Sequence, residues 1–208
     1  AMMPLYHSMG IISTLLTPLL SGGSVICCRA NPPDHIAELL TRLEPTWFSA
    51  VPTVFQVLLN QLERDGCAPS HRLRFLRSAG SAMPPQLLAR LESCFHVPVL
   101  EGYGMTEAYS ACSNRLDGRG PERRAGTVGP PAGAEVAILD SQGQHLQAGN
   151  PGEIVIRGAS ATLGYETAGP SGWIRDAHGE RWFASGDEGY FDPEAVSYTH
   201  LRAHETEA

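Results

Sequence analysis

Lysine is absent from this chain of 208 residues; all 15 of its basic residues are arginine. Any mechanism that needs a lysine ammonium therefore cannot be completed by this polypeptide alone, and a phosphate-binding loop ending in Gly-Lys-Ser/Thr is excluded. No Gly-x-Ser-x-Gly elbow occurs, so a serine hydrolase has no support. The five cysteines (27, 28, 67, 94 and 112) are odd in number and lack Cys-x-x-Cys spacing. That argues against a zinc site and for reduced, mostly buried thiols in a cytosolic protein. No apolar run reaches the roughly 18 residues that a membrane span needs. The longest, "GIISTLLTPLLSGGSV", is broken by Pro18 and by Gly22 and Gly23. No charged leader with a small-residue cleavage site opens the chain, so a cytoplasmic location is expected. Positive charge is also scarce. A net charge of -7 argues against a general nucleic-acid or anionic-membrane surface.

What is present reads as a globular enzyme, 42% hydrophobic and rich in glycine and proline. Three times a short β-like run precedes an amphipathic helix. "GGSVICC" leads to "NPPDHIAELLTRL", with Ile36, Leu39, Leu40 and Leu43 on one face and Asn31 as the expected N-cap. "TWFSAV" leads to "PTVFQVLLNQLERDG", with Phe55, Leu58, Leu59 and Leu62 in register and Gly66 as the stop. "LRFLRSA" leads to "PPQLLARLESCF", with Leu87, Leu88, Leu91 and Phe95 aligned, and "VPVLEG" is a further strand. Such alternation predicts an α/β fold, a parallel sheet with flanking helices, over 1–125. From Gly126 the runs "GTVGPPAG", "AEVAILD", "GEIVIRG" and "WFASGDEGYFD" predict a smaller antiparallel, barrel-like β subdomain over 126–194. Residues 114–125 would connect the two parts. The end of the chain, 195–208, stands apart: "VSYTHLRAHET" resembles a translated transposon adapter from sequencing libraries, and nothing functional is read from it.

Ligands of parallel α/β sheets bind at the carboxyl ends of strands. Two such ends carry suitable residues. One has Gly80 and Ser81, small enough for a planar ring to lie against the backbone. The other has Gly102, Tyr103, Gly104, Met105, Thr106 and Glu107. Tyr103 offers a stacking surface, Thr106 a hydroxyl for a phosphate oxygen, and Glu107 a carboxylate for Mg²⁺, a hard cation. Together they suit a nucleotide, although Gly-Tyr-Gly alone also reads as a turn and Glu107 as a solvated carboxylate. The dinucleotide fingerprint is not met, because Glu107 stands where its third glycine belongs. Asp187, after Gly186, reads as a turn carboxylate able to accept two hydrogen bonds from a ribose diol, or as local backbone capping. His7 is either a cleft residue or a structural histidine.

Five ordered stretches, "PLYHSMG", "GSAMPP", "EGYGMTEA", "GEIVIRG" and "WFASGDEGYFD", resemble the adenylate-forming enzymes. These are the acyl-CoA synthetases, the adenylation domains of peptide synthetases, and luciferases. The resemblance covers nearly all of residues 2 to 194 and is closest to acyl-CoA synthetases of the oxalate–CoA or coumarate–CoA ligase type. It implies ATP, Mg²⁺ and coenzyme A as cofactors and a small carboxylic acid as substrate, with no nucleic-acid partner and no membrane span. It also implies roles. Tyr103 would stack on adenine within the surround of Gly102 and Gly104; Thr106 would contact the α-phosphate; Glu107 would bind Mg²⁺; Asp187 would hold the ribose. Gly80 and Ser81 would border adenine and the acyl pocket, which Met105 and His7 would line, His7 also facing the thiol tunnel. Two parts of the family pattern are not found: the phosphate loop with its lysine before His7, and the hinge and lid with their catalytic lysine after Asp192. The expectation is therefore an internal fragment that is inactive in adenylate formation. Two other readings stay open, an adenylation domain that loads a carrier-protein thiol and a non-catalytic nucleotide-binding module.

Overall fold

The computed structural model describes residues 1–28, 35–66, 70–117, 123–166 and 172–193, together with the backbone of 197–198. The chain divides into two compact units, Ala1–Glu101 and Gly102–Ala208. The division falls earlier than the change of sequence texture at Gly126. The cause is visible in strand β3 (Val99–Met105), which changes partner midway: Leu100 and Glu101 pair in parallel, while Gly102 and Tyr103 pair antiparallel with the strand that follows.

In the first unit, β1 (Trp47–Ala50) and β2 (Phe75–Ser78) pair in parallel, and β2 pairs in parallel with the start of β3. A π-helix, Met9–Leu16, runs into the short α1 (Thr17–Leu20). The helices α2 (Ile36–Leu43), α3 (Pro52–Asp65) and α4 (Pro85–Phe95) lie where the 3.6-residue period puts them. Proline occupies the first helical position of α3 and α4, where its fixed φ suits the helix and its missing N–H costs nothing. Gly66 ends α3 at φ 72°, a conformation that glycine adopts without strain. The expected faces form the core: Ile36, Leu40, Phe55, Leu58, Leu59, Leu62, Leu87, Leu88, Leu91 and Phe95 are all buried. Leu39 and Leu43 are only half-buried.

Two expectations fail here. "GGSVICC" is not a strand: the Gly22 and Gly23 N–H groups bond back to the Leu19 and Pro18 carbonyls, and farther along Ala1 bonds the Ile26 carbonyl through its ammonium and accepts from Cys28 N–H. The thiols are not mostly buried either: Cys27 is exposed, Cys28 and Cys94 are half-buried, and only Cys112 of the described four is buried. Asn31 and Cys67 lie outside the described residues, as does most of the tail. None of the described helices is long and apolar enough to cross a membrane.

The second unit is antiparallel. The end of β3 pairs with β4 (Ala108–Ser113), a strand that the polar-looking "AYSACS" does not announce. The remaining strands are β5 (Glu135–Leu139), β6 (Gly152–Arg157), β7 (Trp173–Arg175) and β8 (Arg181–Phe191), in spatial order β5-β6-β8-β7, with β9 (Ser197–Tyr198) beside the end of β8. "GTVGPPAG" contributes isolated bridges rather than a strand, among them Cys112 to Pro131, since two consecutive prolines cannot feed a ladder.

The β7–β8 connection is organised around Asp176, whose side chain is buried. Its Oδ1 accepts from the backbone N–H groups of His178 and Glu180, both at 2.9 Å. Its Oδ2 meets His145 Nε2 at 2.7 Å and accepts from Trp182 Nε1 at 3.0 Å. The His145 contact, with the Trp182 and backbone bonds, holds this carboxyl well below the usual carboxylate range despite its burial. A depressed folded pKa stabilises the protein above the unfolded value of about 3.9 and is lost as pH falls through the folded one. Asp176→Asn should therefore lower the thermal midpoint at pH 7, with the deficit narrowing as pH drops below about 4. Unfolding scans giving the same deficit at pH 7 and pH 3 would contradict this role.

Candidate functional site

"EGYGMT" is not a turn. Gly102, Tyr103, Gly104 and Met105 all belong to β3, and only residues 106–107 make the turn into β4. Tyr103 points into the second unit's apolar cluster with Ala111, Ile138, Ile154 and Ile156, and is 7% exposed. A phenol so placed must donate its hydroxyl to something. It donates to Asp187 Oδ2 at 2.6 Å, across 84 residues of sequence. Burial, with that hydrogen bond, raises the Tyr103 pKa far above its ordinary value.

Asp187 reaches this position through a bulge rather than the turn expected from its sequence. Glu153 pairs with Glu188 and Val155 with Ala184, which leaves Ser185, Gly186 and Asp187 opposite Ile154 alone. Extra residues on one strand bend it and re-aim its side chains. Gly186 takes φ 77°, and the bulge is fastened by side chains. Ser185 Oγ donates to the Ile154 carbonyl at 2.7 Å and accepts from Asp187 N–H at 3.0 Å; Gly186 N–H lies 3.4 Å from Glu153 Oε1. Among the described residues Asp187 Oδ1 takes no hydrogen bond, so one carboxylate oxygen stays available.

The β3–β4 turn carries the other candidates. The Thr106 side chain is exposed and its hydroxyl has no partner among the described residues. Glu107 is half-buried; its Oε1 accepts from Tyr165 O–H at 2.9 Å, and its backbone carbonyl accepts from Thr162 N–H at 2.6 Å. No cluster of three His, Cys, Asp or Glu side chains converges among the described residues, so an all-protein metal cage is ruled out there. One carboxylate with one unbonded oxygen fits instead a hard cation that takes most of its ligands from substrate phosphates and water.

The glycines divide by cause. A Cβ on Gly104 would stand 2.5 Å from Ser110 N across the hairpin, so glycine is demanded there by packing. Gly102 is buried opposite Ser113. In the first unit Gly80 sits at φ 87°, which itself favours glycine, and both it and Ser81 are exposed just after β2. His7 is exposed at the entry to the π-helix, its N–H bonded to the Pro4 carbonyl at 3.1 Å and its ring 4.5 Å from that of Tyr6. Met105 packs, half-buried, against the Tyr103 cluster. The second unit thus brings Tyr103 and Asp187 into contact and carries Thr106 and Glu107 on the same strand end. Two participants escaped sequence reasoning, Tyr165 and the Ser185 fastening. Only the position of Ser185, two residues before Asp187, was a signal, since such a hydroxyl commonly accepts from the backbone two residues on.

Residues 1–166 match the family described as AMP-binding enzyme. Oxalate–CoA ligase of Saccharomyces cerevisiae is 39% identical over 193 residues, covering 92% of this chain and 35% of the relative. Oxalate–CoA ligase of Arabidopsis thaliana is 37% identical over 207 residues, covering 96% of this chain and 38% of the relative. The crystal structure of ATP-bound MatB from Rhodopseudomonas palustris superimposes with a TM-score of 0.82 at 28% identity, over 96% of this chain and 39% of that one. The chain thus spans less than two fifths of the length of each.

Loss of the hydroxyl in Tyr103→Phe removes a part-buried hydrogen bond to a carboxylate, worth about 1.5–3 kcal/mol. The variant should melt lower at neutral pH. A raised folded pKa stabilises below the unfolded value and fades above it, so the deficit should shrink once pH passes about 10. Equal melting of the two proteins at pH 7 would remove this hydrogen bond from the account.

Proposed function

The chain belongs to the family of AMP-binding enzymes, and on that footing we propose that it is the adenosine-holding part of an AMP-forming acid–CoA ligase. The observation that carries this reading is the Tyr103–Asp187 hydrogen bond, which joins two distant family motifs at one place. The relatives' names favour coenzyme A over a carrier-protein thiol as acceptor and make oxalate the first acid to test. A cytoplasmic location goes with the same reading.

In the proposed reaction a carboxylate oxygen attacks the α-phosphorus of ATP. The new O–P bond forms as the bond to pyrophosphate breaks. The coenzyme A thiol then attacks the acyl carbon and AMP departs. The acid and the phosphate repel, so bringing them together achieves little unless charge is offset. Each residue has a part in this. Tyr103, at 7% exposure, has little open ring face for the expected stacking, so in this reading its edge borders adenine. Asp187, steadied by the phenol on Oδ2, accepts a ribose hydroxyl at Oδ1. Thr106 donates its hydroxyl to an α-phosphate oxygen. Mg²⁺ held by Glu107 together with phosphate oxygens would supply positive charge at the reacting phosphate. Met105 completes the proposal on the acyl side of this unit; the acyl roles that the resemblance implies for Gly80, Ser81 and His7 would belong to the first unit. With no lysine in the chain, the reading holds that this polypeptide binds the nucleotide without forming the adenylate itself.

Calorimetric titration with AMP tests it. Saturable binding is expected, weakened by about 1–3 kcal/mol in Asp187→Ala through lost ribose hydrogen bonds. Pyrophosphate exchange by the chain should be absent. AMP binding that ignores Asp187→Ala, or measurable exchange, would overturn the reading.

A further inference from the structure

Resting on that reading of Glu107, we infer that Tyr165 is a positioning residue. Its phenol holds one oxygen of the Glu107 carboxylate and leaves the other turned to a divalent cation shared with the nucleotide phosphates. Tyr165 follows β6 in a segment that nothing in its sequence marks as functional. That segment is fastened to the β3–β4 turn at three points: the Ala108–Ala161 bridge, the Thr162 N–H to Glu107 carbonyl bond at 2.6 Å, and the Tyr165 O–H to Glu107 Oε1 bond at 2.9 Å. Between the last two, Thr162 Oγ1 bonds Gly164 twice, to its carbonyl at 3.0 Å and its N–H at 3.2 Å, which closes the short turn that brings Tyr165 round. The Tyr165 side chain is half exposed, so burial does not explain its placement. The hydroxyl contact does.

The physical need is plain. An unrestrained carboxylate on a turn rotates and can chelate through both oxygens. Mg²⁺ demands near-octahedral geometry and takes a carboxylate best through one. A donor on Oε1 fixes the rotamer and leaves Oε2 as the ligand atom. Partners of this kind, one bond removed from the metal, commonly govern its affinity.

The test uses the chain as it stands, Mn²⁺ as the cation probe, and ATP. Affinity for ATP is measured by calorimetry with EDTA and again with Mn²⁺, and the metal-dependent gain is the readout. In the unmodified chain Mn²⁺ should raise the affinity, and Glu107→Gln should abolish the gain. Tyr165→Phe should cut the gain by about tenfold while leaving the EDTA value unchanged. A full gain in Tyr165→Phe, with the gain lost in Glu107→Gln, overturns the inference and spares the metal reading. A fall in both EDTA and Mn²⁺ affinities marks Tyr165 as merely structural and also overturns it. Absence of any gain, or a gain indifferent to Glu107→Gln, removes Glu107 as a ligand and the inference with it.

Discussion

The Tyr103 hydroxyl sits in an apolar cluster where an unpaired phenol would carry a full desolvation cost. Its donation to Asp187 answers that cost and simultaneously fixes where β8 must go. Around this bond the rest of the second unit falls into place. β8 has to bulge so that Asp187 can turn inward over Ile154, and the bulge in turn needs Gly186 at positive φ and Ser185 as a local fastener. A structural requirement and the proposed ribose contact meet in one side chain, because among the described residues the same carboxylate keeps a second oxygen open.

The β3–β4 hairpin supplies the complementary half. Gly104 lets the two strands close on each other where any side chain would strike the backbone of Ser110. That closeness sets Thr106 and Glu107 in a tight turn, one with a hydroxyl unengaged among the described residues and the other with one carboxylate oxygen already held. Elsewhere in this unit polar chemistry is spent on architecture. Asp176 gathers His145, Trp182 and two backbone donors, and Arg157 bridges Glu135 and Glu180 while lying 4.3 Å from the Trp182 ring. These charges belong to the sheet, and no nucleotide role is needed to explain them.

The helices of the first unit were legible because helical periodicity is local: Phe55, Leu58, Leu59 and Leu62 share a face whatever they pack against. The strands β5, β6 and β8 were legible as short β-like runs set off by Gly, Pro, Asp and Asn. Long-range partnership was not. "AYSACS" reads as polar, yet it pairs along β3 because Gly104 admits it. "GGSVICC" reads as a strand, yet among the described residues it joins no ladder. Asp187 looks like a turn residue until the mismatch between β6 and β8 shows the bulge. Family motifs marked Tyr103, Thr106, Glu107 and Asp187, but periodicity and composition carry no trace of Tyr165 meeting Glu107 across 58 residues.

In the proposed reading, one adenosine monophosphate is held where the Tyr103 phenol meets Asp187 and the β3–β4 turn begins. Chemical-shift mapping of the isotopically labelled chain during titration with AMP addresses it most directly. The account predicts saturable shifts concentrated at Tyr103, Thr106, Glu107 and residues 185–187. Saturable shifts that leave these positions still, and cluster on another part of the chain, would contradict it.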